Sequence, residues 1–138
     1  LLFLYKLIMQ KYCCTLQQEK IQFLDSVPHN ELPGWYANAL GMVYPSWCEN
    51  CPNILLEAKA CGCPIIAMNI GPMPELCNNQ EIIVNPFDGK ALAEGMEKAT
   101  YISKTPERIQ QLKDFTDTFT WEAAMLKHKE CFEEINND

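Results

Sequence analysis

Two glutamates separated by seven residues lie on either side of a predicted helix start, within the segment from Val43 to Glu75. Glu49 precedes the helix, and Pro52 occupies a predicted first helical position, where a residue without an N–H costs nothing. The backbone N–H groups from Asn53 onward have no partner inside the helix. These donors and the positive end of the helix dipole form an anion site suited to a phosphate, which needs no cationic side chain.

Glu57 lies on the same helix face as Asn53, because residues four apart are neighbours on a helix surface. A ligand that crosses the helix start can therefore meet backbone donors and a carboxylate together. Taken alone, Glu57 has a simpler explanation, since the dipole favours acids in the first turns of any helix. The surrounding sequence favours the binding interpretation.

The surrounding sequence resembles a known enzyme family over most of the chain. The Glu-x7-Glu spacing, the stretch LLEAKACGCPIIA and the turn GPMPE resemble the C-terminal, donor-binding half of two-domain GT-B retaining glycosyltransferases of group 1, the GT4-like family. The segments FLDSVPHNELPGWYANA, NPFDGKALAEGM and FTWEAA extend the resemblance from about Ile21 to the C-terminus.

The resemblance implies hexosyl transfer from a nucleoside-diphosphate sugar, with retention, to an acceptor such as a glycan or lipid. In that scheme Glu49 is the catalytic residue, which contacts the hydroxyls of the donor sugar and helps to hold its anomeric centre. Glu57 accepts hydrogen bonds from the ribose hydroxyls. The helix start holds the diphosphate through Pro52 and the backbone N–H groups of Asn53, Ile54 and Leu55. No cofactor and no metal are expected, because the helix start and an upstream basic pair of the family hold the charge.

Other polar and aromatic residues near this segment have less specific interpretations. Ser46 is expected to cap a turn. His29 is expected to be solvated, because it lies in a predicted loop without a catalytic partner in sequence. The spacing of Trp35 and Tyr36 on a predicted helix favours core packing over stacking on a nucleobase.

Alternating apolar runs and helical patterns predict an α/β fold. The runs are Ile21–Leu24, Met42–Tyr44, Pro64–Met68 and Ile82–Val84, and the helical segments between them are 31–40, 52–62 and a short one at 72–77. This order is typical of βαβ units, and therefore of a Rossmann-like parallel sheet with helices on both faces. Right-handed crossovers would bring Glu49, the helix start and the Gly71 loop to one edge.

Only helices are predicted after Val84. The first extends from its cap Asp88 to about Ile102, the second from Thr105 or Pro106 to about Phe115, and the third from Thr120 to Ile135. The third helix is expected to expose apolar surface at Trp121, Ala124, Met125 and Phe132. In the resembling enzymes it crosses back to the N-terminal domain.

The length of 138 residues predicts a single domain over 1–138, and the resemblance implies that this domain binds a nucleotide sugar. Because the chain begins in the middle of a helical pattern, we expect it to be a fragment of a longer two-domain enzyme whose N-terminal GT-B domain is missing. That domain is then a partner, and it carries most of the acceptor site.

The net charge of −7 opposes binding to nucleic acid, so no nucleic-acid partner is expected. Lys6 interrupts the apolar N-terminus, and no small-residue cleavage site follows it, which argues against a signal peptide. The eight cysteines are expected to be reduced thiols in a cytoplasmic protein, which could lie peripherally at the inner membrane face in its full-length form.

Four alternatives were weighed against the transferase. A nucleotide-sugar epimerase of the same architecture would use the same phosphate site, and a noncatalytic relative would use the fold as an interaction module. A zinc-binding structural domain is disfavoured because the second pair, Cys61 and Cys63, has one intervening residue instead of two. A dinucleotide-dependent oxidoreductase is disfavoured because no G-x-G-x-x-G follows a strand.

Overall fold

The computed structural model of the chain describes residues 24–78 and 80–137. In these residues three parallel strands form one sheet in the order β1-β2-β3: β1 (Met42–Tyr44), β2 (Ile65–Met68) and β3 (Ile82–Val84). Val43 pairs with Ile66, and Ala67 pairs with Ile83. The helices are α1 (Leu32–Asn38), α2 (Asn53–Ala60), α3 (Met73–Cys77), α4 (Gly89–Thr100), α5 (Pro106–Thr116) and α6 (Trp121–Asn137).

The predicted α/β alternation is confirmed from Met42 onward. The predicted strand at Ile21–Leu24 and the helical pattern before it lie outside the described residues, except for Leu24, which is not in a strand. One boundary was wrong by a residue: α2 begins at Asn53, and Pro52 is its N-cap, with a ψ of 87° that is not helical. Pro52 therefore sets the direction of the chain into α2.

Strand β2 lies at the centre of the sheet, and all four of its residues are buried. Ile65 and Ala67 pack with residues of α2 and α3 on one face, whereas Ile66 and Met68 pack with β3 and α4 on the other. A parallel strand that is covered on both faces buries every side chain, so its residues are all apolar, as in the sequence Ile-Ile-Ala-Met. Helices on both faces of the sheet are confirmed.

Side-chain caps fix the starts of the last three helices. The Asp88 carboxylate accepts a hydrogen bond from Ala91 N at 2.9 Å. Thr105 accepts one from Arg108 N at 3.2 Å, and Thr120 accepts one from Ala123 N at 3.1 Å. Each cap satisfies a backbone donor that has no partner inside its helix, so these predicted starts are confirmed.

Buried polar contacts tie α2 to α3, and they tie β2 to α5 through Glu81, the residue before β3. The fully buried Lys59 donates from Nζ to the carbonyl oxygens of Leu76 at 2.7 Å and Cys77 at 3.2 Å. Glu81 accepts from Ile65 N at 2.8 Å and from Arg108 Nη2 at 3.0 Å. No local sequence pattern indicates these contacts, because the residues that form them are far apart in the chain.

The last helix, α6, exposes apolar side chains as predicted. The exposed residues on it include Trp121, Met125, Leu126, Phe132 and Ile135. Within 24–78 and 80–137, no helix combines the length and the apolar composition that crossing a bilayer requires.

Candidate functional site

The loops after the three strands converge at one edge of the sheet. A Cβ added at Gly71, after β2, would lie 3.7 Å from the carbonyl oxygen of Glu49, after β1. Asn69 Nδ2 donates to Asn85 Oδ1 at 3.4 Å, which joins the loops after β2 and β3. The predicted meeting of Glu49 and the Gly71 loop is therefore confirmed, at the edge where open α/β sheets bind ligands.

Two neighbouring hydroxyl groups hold the side chain of Glu49. Ser46 Oγ donates to Glu49 Oε1 at 2.6 Å, and Tyr44 Oη donates to the same oxygen at 2.7 Å. These bonds lower the pKa of Glu49, with Ser46 the larger cause. Burial and the bond to Glu49 raise the pKa of Tyr44 to about 12. Glu49 is therefore ionised at neutral pH, and its Oε2 faces no hydroxyl donor among the described residues.

This geometry changes the interpretation of Ser46. It was expected to cap a turn, but its hydroxyl donates a hydrogen bond to the Glu49 carboxylate. Tyr44 was read only as a strand residue. Both lie within five positions of Glu49. A side chain with a hydroxyl group this close to an acid in sequence could have indicated the hydrogen bonds.

The start of α2 offers fewer open amides than predicted. Leu55 N donates to Pro52 O at 3.0 Å, and the Leu55 side chain is fully buried. The amides of Asn53 and Ile54 precede the first helical hydrogen bond and have no acceptor within the helix. Of the three amides predicted to hold a diphosphate, those of Asn53 and Ile54 are therefore the ones that remain open at this helix start.

A cavity of about 540 Å³ lies between the start of α2 and the junction of α5 with α6. Asn53 and Glu57 line one wall, as their shared helix face predicted. The full lining is Cys51, Asn53, Leu56, Glu57, Thr116, Phe119, Thr120, Trp121, Glu122 and Ala124. These ten residues include two carboxylates and no Lys or Arg, so the cavity favours a ligand rich in hydroxyl donors.

The other predicted site residues lie outside this lining. Glu49 turns toward the end of β1, Pro52 is buried beneath the helix start, and the side chain of Ile54 is exposed. The structure therefore brings Asn53 and Glu57 together in one cavity, while Glu49 lies at the adjoining edge of the sheet.

His29 is exposed, as predicted, but it has a neighbour that the sequence did not indicate. Its Nε2 lies 3.7 Å from Glu57 Oε1. The contact joins the loop before α1 to α2. The prediction that Trp35 packs in the core was wrong, since half of its surface is exposed, whereas Tyr36 does pack against the core.

The described cysteines are free thiols in contrasting environments. Cys48 and Cys51 are exposed beside Glu49, whereas Cys63 and Cys77 are buried. Burial raises the pKa of Cys63, and it raises the pKa of Cys77 to about 11. Within the described part of the chain, no three His, Cys, Asp or Glu side chains are grouped as metal ligands.

The sequence is similar to those of known proteins. The chain is 36% identical over 73 residues to the O-antigen chain mannosyltransferase B of Escherichia coli, which covers 53% of this chain and 19% of that protein. It is 28% identical over 119 residues to the O-antigen chain mannosyltransferase RfbU of Salmonella typhimurium, covering 86% of this chain and 33% of that protein. The chain thus spans a third or less of the length of these relatives.

A solved structure shares the fold. Sucrose-phosphate synthase from Thermosynechococcus elongatus superposes with a TM-score of 0.74 at 23% identity, over 96% of this chain and 34% of that one. A sequence profile of the family described as "Glycosyl transferases group 1" matches residues 7–100. This match covers more than half of the chain and includes β1, β2, β3, α2 and the loop that carries Glu49. The chain belongs to the group 1 glycosyl transferase family.

Proposed function

We propose that this chain is the donor-binding domain of a retaining GT4-like glycosyltransferase that moves a hexosyl group from a nucleoside-diphosphate sugar to a glycan or lipid. The observation that carries the proposal is the start of α2, where Asn53 and Glu57 share one cavity wall. Membership of the family supports the reaction class. The two relatives named as O-antigen chain mannosyltransferases favour a mannosyl donor and a glycan acceptor.

In the transfer, the bond between the anomeric carbon and the diphosphate oxygen breaks, and a bond to an acceptor hydroxyl oxygen forms as that hydroxyl passes its proton to an oxygen of the departing diphosphate. The amides of Asn53 and Ile54 would stabilise the charge that grows on the departing diphosphate. Preorganised donors are effective here because they need no rearrangement as the charge develops.

Glu49 and Glu57 would position the two sugars of the donor. The ionised Glu49 would accept hydrogen bonds from hydroxyls of the transferred hexose and orient its anomeric carbon. The two carboxylate oxygens of Glu57 match the adjacent hydroxyls of a ribose. Neither role needs a metal or a cofactor.

The rest of the active site would belong to a second, N-terminal domain of the GT-B type. The acidic cavity supports this view, because a diphosphate needs more positive charge than two amides supply. That domain would contribute basic residues and the acceptor site. We place the full-length enzyme in the cytoplasm, at the inner membrane face, where it would reach a lipid-linked acceptor.

Nucleotide binding by this chain tests the proposal. We expect UDP, GDP or ADP to bind at millimolar concentration in calorimetric titrations. Glu57→Gln should weaken that binding by about tenfold, because a charge-assisted hydrogen bond to the ribose is lost. The matched control is Glu94→Gln, which changes an exposed glutamate on α4.

Two results would contradict the proposal. One is the absence of binding by all three nucleotides. The other is equal affinity in the Glu57→Gln and Glu94→Gln variants. In the full-length enzyme, Glu57→Ala should raise the KM for the donor and Glu49→Ala should lower kcat. Unchanged kinetics in both variants would remove these assignments.

A further inference from the structure

An exposed aromatic pair lies at the same sheet edge as Glu49, and neither the fold nor the proposed nucleotide site accounts for it. The rings of Trp47 and Phe87 have centroids 4.2 Å apart and planes inclined at 55°. Phe87 is 86% exposed and Trp47 is 47% exposed. Trp47 lies on the loop after β1, two positions before Glu49, and Phe87 lies on the loop after β3. The pair thus bridges the two outer loops of this edge.

Phe87 holds this position in a conformation that costs free energy. Asp88 N donates to Asn85 O at 3.3 Å, which closes a tight turn with Pro86 and Phe87 at its centre. Phe87 has a φ of 66°, in the left-handed region that favours Gly or Asn at this turn position. A bulky residue in that region is uncommon, and such strain is concentrated at ligand-binding and catalytic sites.

We propose that Trp47 and Phe87 form an aromatic platform that stacks on the C–H face of a pyranose ring, next to Glu49. A pyranose ring has one largely apolar face and a rim of hydroxyl groups. An aromatic surface beside a carboxylate complements both features, since the rings cover C–H groups and the carboxylate accepts from hydroxyls. The ionised Glu49, held by Ser46 and Tyr44, supplies that acceptor.

The platform rests on the proposed function and makes it more specific. It assigns the sugar to the edge formed by Trp47, Glu49 and Phe87, and the nucleotide to the α2 wall around Asn53 and Glu57. The sugar could come from two sources of the same chemistry, the hexose of the donor or a hexose of the acceptor glycan. Separate ligands distinguish these sources.

The test uses saturation-transfer NMR on the 138-residue chain with three probes. Methyl α-mannopyranoside and an α-linked mannose disaccharide represent the acceptor, and GDP-mannose represents the donor. We expect saturation of the ring C–H protons in at least one of them. Stronger saturation with the free saccharides assigns the platform to the acceptor, and stronger saturation with GDP-mannose assigns it to the donor hexose.

Phe87→Gly is the decisive variant, because glycine adopts the left-handed conformation freely while the ring is removed. Its thermal midpoint should stay close to that of the wild type, since relief of backbone strain offsets the lost contact with Trp47. Affinity for the sugar that binds should fall about threefold to tenfold. Trp47→Ala should act in the same direction, and Tyr101→Ala, an exposed aromatic at the far end of α4, should not.

The outcomes separate this proposal from the nucleotide site. Retained binding of UDP or GDP in Phe87→Gly, with lost pyranose saturation, supports the platform. Absence of saturation of any pyranose ring in the wild type overturns it, as does equal saturation in Phe87→Gly and Tyr101→Ala. A Phe87→Gly variant that only loses self-association would assign the pair to a protein contact and also overturn it. Saturation of the two free saccharides does not depend on whether nucleotides bind at α2, so failure of the platform and failure of the nucleotide site can be told apart.

Discussion

Two side chains close to Glu49 in sequence orient its carboxylate and favour its ionised form. Ser46 and Tyr44 both donate to Oε1, which fixes one oxygen of the carboxylate. Hydrogen bonds to the ionised form favour it, so the pKa of Glu49 lies below its ordinary value. A carboxylate held in this way is charged and oriented before any ligand arrives.

Removing either hydroxyl should therefore raise the pKa of Glu49. We expect Ser46→Ala to have the larger effect and Tyr44→Phe the smaller, following the order of their contributions. The pKa can be measured by 13C NMR titration of the Glu49 carboxyl carbon, with Tyr101→Phe as a control far from the site. An unchanged pKa in both variants would contradict the hydrogen-bond explanation.

The same bonds predict the direction of an acid effect on stability. Because the folded-state pKa of Glu49 is lowered, its contribution to stability is present above the unfolded-state pKa. That contribution is lost as the pH falls through the folded-state pKa. In the Ser46→Ala and Tyr44→Phe variants, the decrease in unfolding free energy at low pH that is due to Glu49 should be smaller.

The connection from α2 to β2 depends on a glycine in a left-handed conformation. Gly62 has a φ of +73°, and a Cβ at this position would lie 2.7 Å from Ile109 Cγ1 on α5. The chain therefore turns where α5 packs against the end of α2. Only glycine satisfies both the dihedral angle and the close approach.

Gly62→Ala should lower the free energy of unfolding by about 2 kcal/mol or more, because a left-handed alanine adds strain and its methyl group meets Ile109. Denaturant titration of the chain measures this change. The control is Gly34→Ala in α1, where a Cβ meets nothing within 4 Å. That variant should gain about 0.5–1 kcal/mol, since alanine is the better helix former. Equal effects of the two variants would contradict the packing argument.

At the level of elements, local patterns predicted what local forces determine. The apolar run of β2 and the caps Asp88 and Thr120 were readable, because burial on both faces and capping leave short-range signals. The cavity beside Glu57 was not readable. Its second wall comes from the junction of α5 and α6, about sixty residues further along the chain.

The contact between Trp47 and Phe87 likewise could not be predicted from local sequence. Nothing in the local sequence around Trp47 or Phe87 showed that their rings meet. The contact arises because β1 and β3 flank β2 in one parallel sheet, which brings the loops after them together. The contact of His29 with Glu57 likewise depends on how two loops pack.

Over the whole molecule, the two faces of the sheet are held differently. One face has an apolar cluster with α4, whereas the other includes Lys59. The Lys59 side chain joins α2 to the end of α3, and its Nζ lies 4.0 Å from the centroid of the Phe115 ring. Lys59 donates to carbonyl oxygens at the C-terminal end of α3, where the helix dipole favours a cation. Even so, burial dominates and lowers the pKa of Lys59.

Lys59→Met should lower the free energy of unfolding by about 1–3 kcal/mol at pH 7, because two buried carbonyl oxygens lose their donor.

The loss of stability in Lys59→Met should grow as the pH rises. The lowered folded-state pKa means that the unfolded wild type binds more protons between that pKa and the ordinary value of 10.5, so Lys59 gains stabilising effect as the pH rises through this range. The neutral amine still donates to both carbonyls. Urea denaturation from pH 7 to 10.5 should therefore show the difference in unfolding free energy between wild type and Lys59→Met widening. If the difference in unfolding free energy between wild type and Lys59→Met stays constant or narrows, the folded chain does not disfavour the charged form of Lys59.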